Sequence, residues 1–270
     1  MKLYRSFLTV GGLTLLSRIL GFVRDILAAA VLGTGFVADA FYVAFRFPNL
    51  FRRLYAAKLE GEGRESAQKF ASEAMTGLSL VLFILSFLAI LGMPWLMYLL
   101  APGFSESVEK FDLAIHLTQI TFPYLLCMSL VALMSGVLNT LGKFVESSSV
   151  SIVLNTVLSI AMLLTIWLDL RGEPSAGYVQ AWGVFVAGLL QLALLMWGLS
   201  RNNVSLKLTK QFWTKDIKKL VMLGIPGVIS GGITQINIAI GTMIASLQEG
   251  AVSHLYYADR LYELPLAIVG

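Results

Sequence analysis

The chain has 270 residues, of which 57% are hydrophobic and only 13% are charged. Soluble domains carry about 25% charged residues, so this composition argues against a soluble enzyme or binding domain and indicates a protein embedded in lipid. The formal net charge of +4 suits the anionic lipid of an inner membrane leaflet, and we expect a membrane, not nucleic acid, as its partner.

Apolar stretches long enough to cross a bilayer, about 20 residues each, recur along the chain. Seven of them lie at 7–32, 36–54, 76–101, 113–142, 148–168, 178–199 and 219–247, and an eighth begins near Ala251. This pattern predicts an all-α polytopic membrane protein with seven transmembrane helices and the start of an eighth.

The basic residues outside these stretches or at their ends indicate the orientation. A cytoplasmic N-terminus places fourteen of them in cytoplasmic segments and two, Lys110 and Arg171, in the opposite loops. The positive-inside rule therefore predicts a cytoplasmic N-terminus. Lys2 and Arg5 precede the first stretch, but this stretch continues to Leu32 without a small-residue cleavage site, which predicts a retained helix and not a signal peptide.

A long basic connection between the sixth and seventh spans indicates the domain organisation. Transporters are commonly built from repeated helix bundles joined in this way. We predict a six-helix lobe at 1–201, a cytoplasmic linker at 202–218, and the start of a second lobe at 219–270, comprising helix seven and a truncated helix eight.

The residues that usually bind metals are sparse. Cys127 is the single cysteine of the chain, so it cannot form an internal disulfide. His116 and His254 lie far apart and lack the spacing of metal ligands. We expect neither a metal site nor a cofactor.

Two polar seams follow the first two spans. A charge near the membrane centre costs about 2.5–3.5 kcal/mol on insertion scales and marks a functional site by default. Residues spaced by three or four positions share one face of a helix. The seam of the first span consists of Ser17, Gly21, Arg24 and Ala28, with Arg18 and Asp25 beside them. The seam of the second span consists of Asp39, Tyr42, Arg46, Asn49 and Arg53, with Arg52 beside them.

The basic residues of these seams, and Arg260 in the eighth span, are all arginine. Arginine keeps its charge in a low dielectric and binds phosphate oxygens with a planar fork, so a water-filled cavity lined by it would suit a diphosphate or another anionic head group. Internal salt bridges such as Arg24 with Asp39, or Arg18 with Asp25, are the structural alternative. Snorkelling to the interface is the alternative for Arg53 and for Arg52.

Five fragments, taken in order, resemble one known family. They are SRILGFVRD (17–25), ADAFYVAFRFPNLFRR (38–53), APGF (101–104), GVLNTLGKF (136–144) and YADRLYE (257–263). They are similar to the bacterial lipid II flippase family, called MurJ or MviN, of the multidrug/oligosaccharidyl-lipid/polysaccharide exporter superfamily. The resemblance covers essentially the whole chain.

The resemblance implies that the chain forms the first lobe of a two-lobe transporter and that it is not an enzyme. Such a protein lies in the bacterial inner membrane and moves the undecaprenyl-diphosphate-linked peptidoglycan precursor, lipid II, from the inner to the outer leaflet by alternating access. Cell-wall synthesis proteins are candidate partners. The family's cavity arginines correspond to Arg18, Arg24, Arg52 and Arg260, its first-lobe acids to Asp25 and Asp39, and its accessory polar contacts to Ser17 and Asn49.

Two departures from the family pattern are visible. After Tyr55 about a dozen residues of the pattern are missing, which bears on the cytoplasmic gate, and Ser147 and Ser151 replace prolines. The chain ends at Gly270, where roughly half of such a transporter would remain. Because a cavity between two lobes needs both, we expect the chain alone to be inactive unless it is part of a longer protein.

Other functions remain as alternatives. A related exporter of polysaccharide-linked lipids or of drugs is the closest, although a drug exporter would favour an acidic cavity. A membrane-embedded polyprenyl-phosphate transferase is more remote, because it would need clustered aspartates of the D-D-x-x-D kind to hold magnesium. A membrane scaffold without transport activity would leave the two polar seams explained only as ion pairs.

Overall fold

The structure is a computed structural model that describes residues 51–255 and 258, except for the side chains of 227–236. Within these residues every regular element is a helix. A helical segment at 51–61, α1, is followed by one short 3₁₀ helix at Pro102–Glu106, by helical residues at 251–255, and by seven complete α-helices. They are α2 (Arg64–Leu91), α3 (Met93–Leu100), α4 (Val108–Thr121), α5 (Tyr124–Thr140), α6 (Phe144–Trp167), α7 (Pro174–Arg201) and α8 (Lys215–Ser246).

Four helical units in the described part of the chain are long and apolar enough to cross a membrane. They are Arg64–Leu91, Val108–Thr140, Phe144–Trp167 and Pro174–Arg201. They confirm an all-helical membrane protein and overlap the predicted spans at 76–101, 113–142, 148–168 and 178–199. The predicted span at 7–32 lies outside the described residues, as does most of 36–54, so the count of seven helices and a partial eighth stays a prediction.

Prolines break two of the predicted spans into shorter helices. The span at 76–101 divides at Gly92, and Pro94 lies in the first turn of α3. The span at 113–142 divides at Phe122, and Pro123 is the N-cap residue of α5. Proline has no N–H to donate and clashes with the preceding turn, so it is favoured where a new helix begins.

Large apolar side chains point outward from the bundle. Phe83 and Leu88 on α2 are each 61% exposed, and Trp95 and Trp167 are 83% and 80% exposed. In water such surfaces would form apolar patches far beyond those of ordinary soluble monomers. In a bilayer they would face hydrocarbon.

The closest helix packing is between α7 and its neighbours α5 and α6. Gly188 of α7 faces the ring of Tyr124 and the Cβ of Cys127, both on α5. Gly183 faces the Cβ of Ala161 on α6. Small residues at such crossings let two backbones approach, which is the usual way that helices associate in membranes.

Gly188→Ala is expected to destabilise the chain by about 1–3 kcal/mol, the cost of overpacking a well-packed interior. A methyl group at this position would lie 2.6 Å from Tyr124 Cδ2 and 2.9 Å from Cys127 Cβ. Gly241→Ala in α8 is the matched control, since no atom of the described residues lies within 4 Å of its added Cβ and the gain in helix propensity is the same. Unfolding by denaturing detergent, followed by circular dichroism, compares the two, and equal stability would contradict the packing argument.

The loops gather at two ends of the bundle. At one end the segment after α7 lies beside α1 and α2, and Arg201 and Asn202 border a depression with Lys143 and Glu146. At the other end, the backbone N–H of Gly103 donates to Ser246 Oγ at 3.2 Å, and the hydroxyl of Tyr178 lies 3.2 Å from His116 Nδ1. Successive long helical units thus run alternately between the two ends.

Candidate functional site

Of the residues predicted to bind substrate or to balance its charge, Arg52 alone lies in the described part of the chain. The others lie outside the described residues: Ser17, Arg18, Arg24, Asp25, Asp39, Asn49 and Arg260. The structure therefore places one member of the predicted cavity wall, and the roles of all eight stay predictions.

Arg52 lies on the exposed face of α1, together with Arg53. The opposite face is fully buried, with Phe51 at 1% and Tyr55 at 0% exposure. The ring of Phe51 stacks on that of Phe70 in α2, with centroids 5.5 Å apart, and on that of Tyr55 at 6.0 Å. This aromatic cluster fixes the rotation of α1, so that the guanidinium of Arg52 is directed away from the core.

The stretch after Tyr55, where the resemblance predicts a deletion, is an uninterrupted helix. Residues 51–61 are helical throughout, and a turn at Glu62–Gly63 leads directly into α2. Gly63 has a φ of 86°, a left-handed conformation that glycine adopts without steric cost. The apolar faces of α1 and α2 thus pack on each other across a short connection.

An ion pair joins the end of α1 to the beginning of α8. Lys58 Nζ lies 2.9 Å from both Glu62 Oε2 and Asp216 Oδ2. Burial opposes the charge on Lys58, but hydrogen bonds and attraction from Glu62 and Asp216 outweigh it and raise the pKa of this lysine. The hydrogen bond from Ser66, then that from Lys58, lowers the pKa of Glu62. The stabilisation from the raised lysine pKa is fully present below the ordinary pKa of 10.5 and is lost as pH rises through the folded value.

The connection after α7 is an ordered strap, residues 202–214, that lies along α2. Arg64 Nη2 donates to the carbonyls of Asn202 and Asn203 at 2.6 and 3.1 Å. The backbone N–H of Lys207 donates to Ser72 Oγ at 3.2 Å, and that of Thr209 donates to Thr76 Oγ1 at 3.0 Å.

The end of the strap contacts a buried carboxylate. Glu73 is only 4% exposed, and the hydroxyl of Thr214 donates to its Oε2 at 2.8 Å. Thr214 is also the N-cap residue of α8, but its side chain makes no capping hydrogen bond there. The hydroxyl that could have capped α8 is used to hold the beginning of that helix against α2.

Sequence reasoning missed the strap, although α2 carries a signal for it. Arg64, Gln68, Ser72 and Thr76 are spaced by four residues and form one stripe of hydrogen-bonding side chains on α2. Gln68 Nε2 adds a contact of 3.4 Å to the carbonyl of Asn203. The stripe lies beside a buried apolar face that includes Phe70 and Ala74.

Polar side chains also lie between the helices deeper in the bundle. Gln191 is 1% exposed, its Nε2 donates to the carbonyl of Val150 at 2.8 Å, and the hydroxyl of Tyr124 donates to its Oε1 at 3.3 Å. Such bonds satisfy polar groups inside a membrane and fix the pairing of helices. No group of three potential metal ligands occurs among the described residues.

Comparisons with known proteins agree on one family. The family model described as lipid II flippase MurJ matches residues 28–270. A probable lipid II flippase MurJ from Rhizobium tropici is 45% identical over the whole chain, and the lipid II flippase MurJ from Burkholderia cenocepacia is 36% identical, also over the whole chain. The chain spans about half the length of these curated relatives, 53% and 55%.

A solved structure shows the same fold. It is that of a lipid II flippase MurJ in an inward closed conformation, which matches 95% of this chain and 54% of its own with a TM-score of 0.68 and 25% identity. The names of the relatives and of this structure are those of flippases, which agrees with the prediction of a transporter and not an enzyme.

Proposed function

Because the chain belongs to the lipid II flippase MurJ family, we propose that it forms the first lobe and the beginning of the second lobe of a transporter of lipid II. In this proposal the undecaprenyl-diphosphate-linked disaccharide-peptide passes from the inner to the outer leaflet by alternating access. The observation that carries the proposal is the match of the family over residues 28–270, which includes Arg52 and Arg260, two of the four predicted cavity arginines.

The diphosphate is the part of the substrate that an arginine wall would recognise. We propose Arg18, Arg24, Arg52 and Arg260 as its ligands, Ser17 and Asn49 as accessory contacts, and Asp25 and Asp39 as charge partners. The exposed position of Arg52, on a helix whose other face is locked by Phe51 and Tyr55, supports this assignment. A guanidinium held on a rigid helix loses little freedom when it binds a phosphate group.

The proposed location is the bacterial inner membrane, with a cytoplasmic N-terminus. The arrangement of the loops supports this orientation. The end that carries Arg64, Arg201 and Lys207 is rich in basic residues, while the end that carries Gly103 and Ser246 has few. The proposed division of the chain is a lobe at 1–201, a linker at 202–218, and the beginning of a second lobe at 219–270.

A fusion tests the function directly. The chain is joined to the second half of the Rhizobium tropici relative and expressed in a bacterium whose own flippase can be depleted. We expect the fusion to restore growth and export of lipid II, and the chain alone to restore neither, because the proposed cavity needs both lobes. The membrane-inserted amount of each protein is measured in parallel.

Failure of a well-inserted fusion to restore export would contradict the proposal. Restoration of a different polysaccharide-linked lipid, assayed in the same cells, would instead favour the related exporter. A fusion that carries Arg53→Ala is the control for a change of surface charge, because Arg53 is exposed but is not one of the proposed ligands.

A further inference from the structure

The first helix of the proposed second lobe is held to the first lobe at both of its ends, but by unequal contacts. At one end the strap and the first turns of α8 contact α1 and α2. At the other end α8 contacts α3 and the 3₁₀ helix, and the backbones of Gly103 and Ser246 approach closely. A Cβ added to Gly103 would lie 2.0 Å from the carbonyl oxygen of Ser246, and one hydrogen bond joins the same two residues.

The contacts at the strap end belong to the core of the first lobe. Val204, Ile217 and Leu220 are 3–5% exposed and lie in the same hydrophobic cluster as Phe70 and Leu195. Phe212 of the strap lies close to Gly77 of α2, 3.3 Å from the position of an added Cβ. Separation of this end would expose these apolar groups.

The polar contacts at this end would also be costly to break. Glu73 is a buried carboxylate, and without Thr214 it would lose a hydrogen bond that stabilises it in the core. Lys58, whose side chain is only 15% exposed, would lose Asp216 as a partner. The amides of Lys207 and Thr209 would each need a new acceptor.

We propose that the strap and residues 215–220 of α8 move with the first lobe, so that the boundary between the two moving bodies lies inside α8, beyond Leu220, and not in the connecting loop. In this proposal Glu73 and Lys58 are positioning residues, which set the place and the direction from which the second lobe begins. The proposal requires the contacts at the other end of α8, with α3 and the 3₁₀ helix and between Gly103 and Ser246, to separate when the lobes move. The inference rests on the proposed function, because alternating access requires the two lobes to move relative to each other.

Hydrogen exchange tests the docked strap without any transport assay. In the chain in lipid nanodiscs, the amides of Lys207 and Thr209 should exchange slowly, at rates near those of α2. Thr214→Val, which removes the hydroxyl, should speed their exchange by roughly two- to tenfold, the effect of one net hydrogen bond. Thr214→Ser keeps the hydroxyl and should restore protection. Exchange of these amides at the rate of an open loop in the unsubstituted chain would overturn the proposal.

A reversible disulfide tests whether the strap must leave α2 during transport. In a Cys127→Ala background, Ser72→Cys and Lys207→Cys are introduced into the fusion protein and oxidised. We expect the disulfide to form in most molecules and lipid II export to continue as in the reduced protein. Export that stops on oxidation and returns on reduction would overturn the proposal, as would failure of the disulfide to form.

The two tests separate this inference from the proposed function. If the fusion exports no lipid II even when reduced, the proposed function fails. The exchange rates and the yield of the disulfide then still decide whether residues 202–220 form one body with the first lobe.

Discussion

Arg24→Ala, Arg52→Ala and Arg260→Ala are each expected to abolish lipid II export by the fusion protein while leaving its insertion into the membrane unchanged. Each guanidinium is proposed to make two charge-assisted hydrogen bonds to the diphosphate. One such bond contributes about 1.5–3 kcal/mol, so the loss of one arginine should lower export by about 10- to 150-fold or more. Growth after depletion of the host flippase and the exported fraction of lipid II measure the effect.

Arg53→Ala is the matched control for Arg52→Ala. Both side chains are exposed, on neighbouring positions of α1, but Arg53 is expected to reach the lipid interface and not the substrate. Its replacement should leave export nearly unchanged. Equal losses for the two variants would show that export depends on the general charge of this surface and not on a specific ligand.

The geometry of the guanidinium gives a second comparison. Lysine preserves the charge but cannot grip two phosphate oxygens with one planar group. Arg24→Lys and Arg260→Lys should therefore also fail to restore export. A fusion carrying both Arg24→Ala and Arg260→Ala that still supports growth would show that the arginine wall is not the binding site.

The long helices could be predicted because their signal is local. A helix that crosses a membrane must satisfy its own backbone and present apolar side chains, so hydropathy alone identifies α6 and α7 nearly to their ends. The breaks at Pro94 and Pro123 are likewise local, since proline removes a hydrogen bond wherever it occurs.

The beginning of α2 shows where hydropathy fails. The apolar stretch starts at 76, but the helix starts at Arg64. The mean hydropathy of the first three turns of this helix is that of a polar segment, yet Ala67, Phe70 and Ala71 on one face are buried. A window that sums hydropathy does not distinguish a half-buried amphipathic helix from a loop, whereas the period of the buried residues does.

The strap could not be predicted from its own residues. Its lysines and polar residues are typical of a flexible linker, and the alternation of apolar and polar residues at 204–209 would predict a strand, whereas the structure has no regular element there. Its order comes from partners more than 130 positions away in sequence, such as Ser72 for Lys207 and Glu73 for Thr214. The sequence of the strap alone does not show which distant residues it pairs with. The stripe of polar residues on α2 is the one sequence signal that could have predicted a polar segment packed against it.

Phe70→Ala is expected to have the largest effect on stability in the described part of the chain. Its ring stacks on Phe51 at 5.5 Å, lies 6.0 Å from Lys58 Nζ, and is 2% exposed. Removal of a buried phenylalanine costs about 3–5 kcal/mol, because the cavity closes only in part. Detergent unfolding of the purified chain measures the loss.

Phe83→Ala is the matched control, since it removes the same side chain from the same helix. Phe83 is 61% exposed on α2 and faces outward, so its loss should change stability by less than about 1 kcal/mol. If the two variants were equally stable, the aromatic cluster would not be a packed core, and the fixed orientation inferred for Arg52 would lose its basis.

The same pair of variants connects stability to transport. Phe70 supports both α1, which carries Arg52, and the strap end, which carries Ile217 and Leu220 in the same cluster. Phe70→Ala should therefore lower export per folded molecule as well as the amount of folded protein, whereas Phe83→Ala should lower neither. Export normalised to the folded fraction distinguishes the two effects, because a purely structural role for Phe70 would leave the normalised rate unchanged.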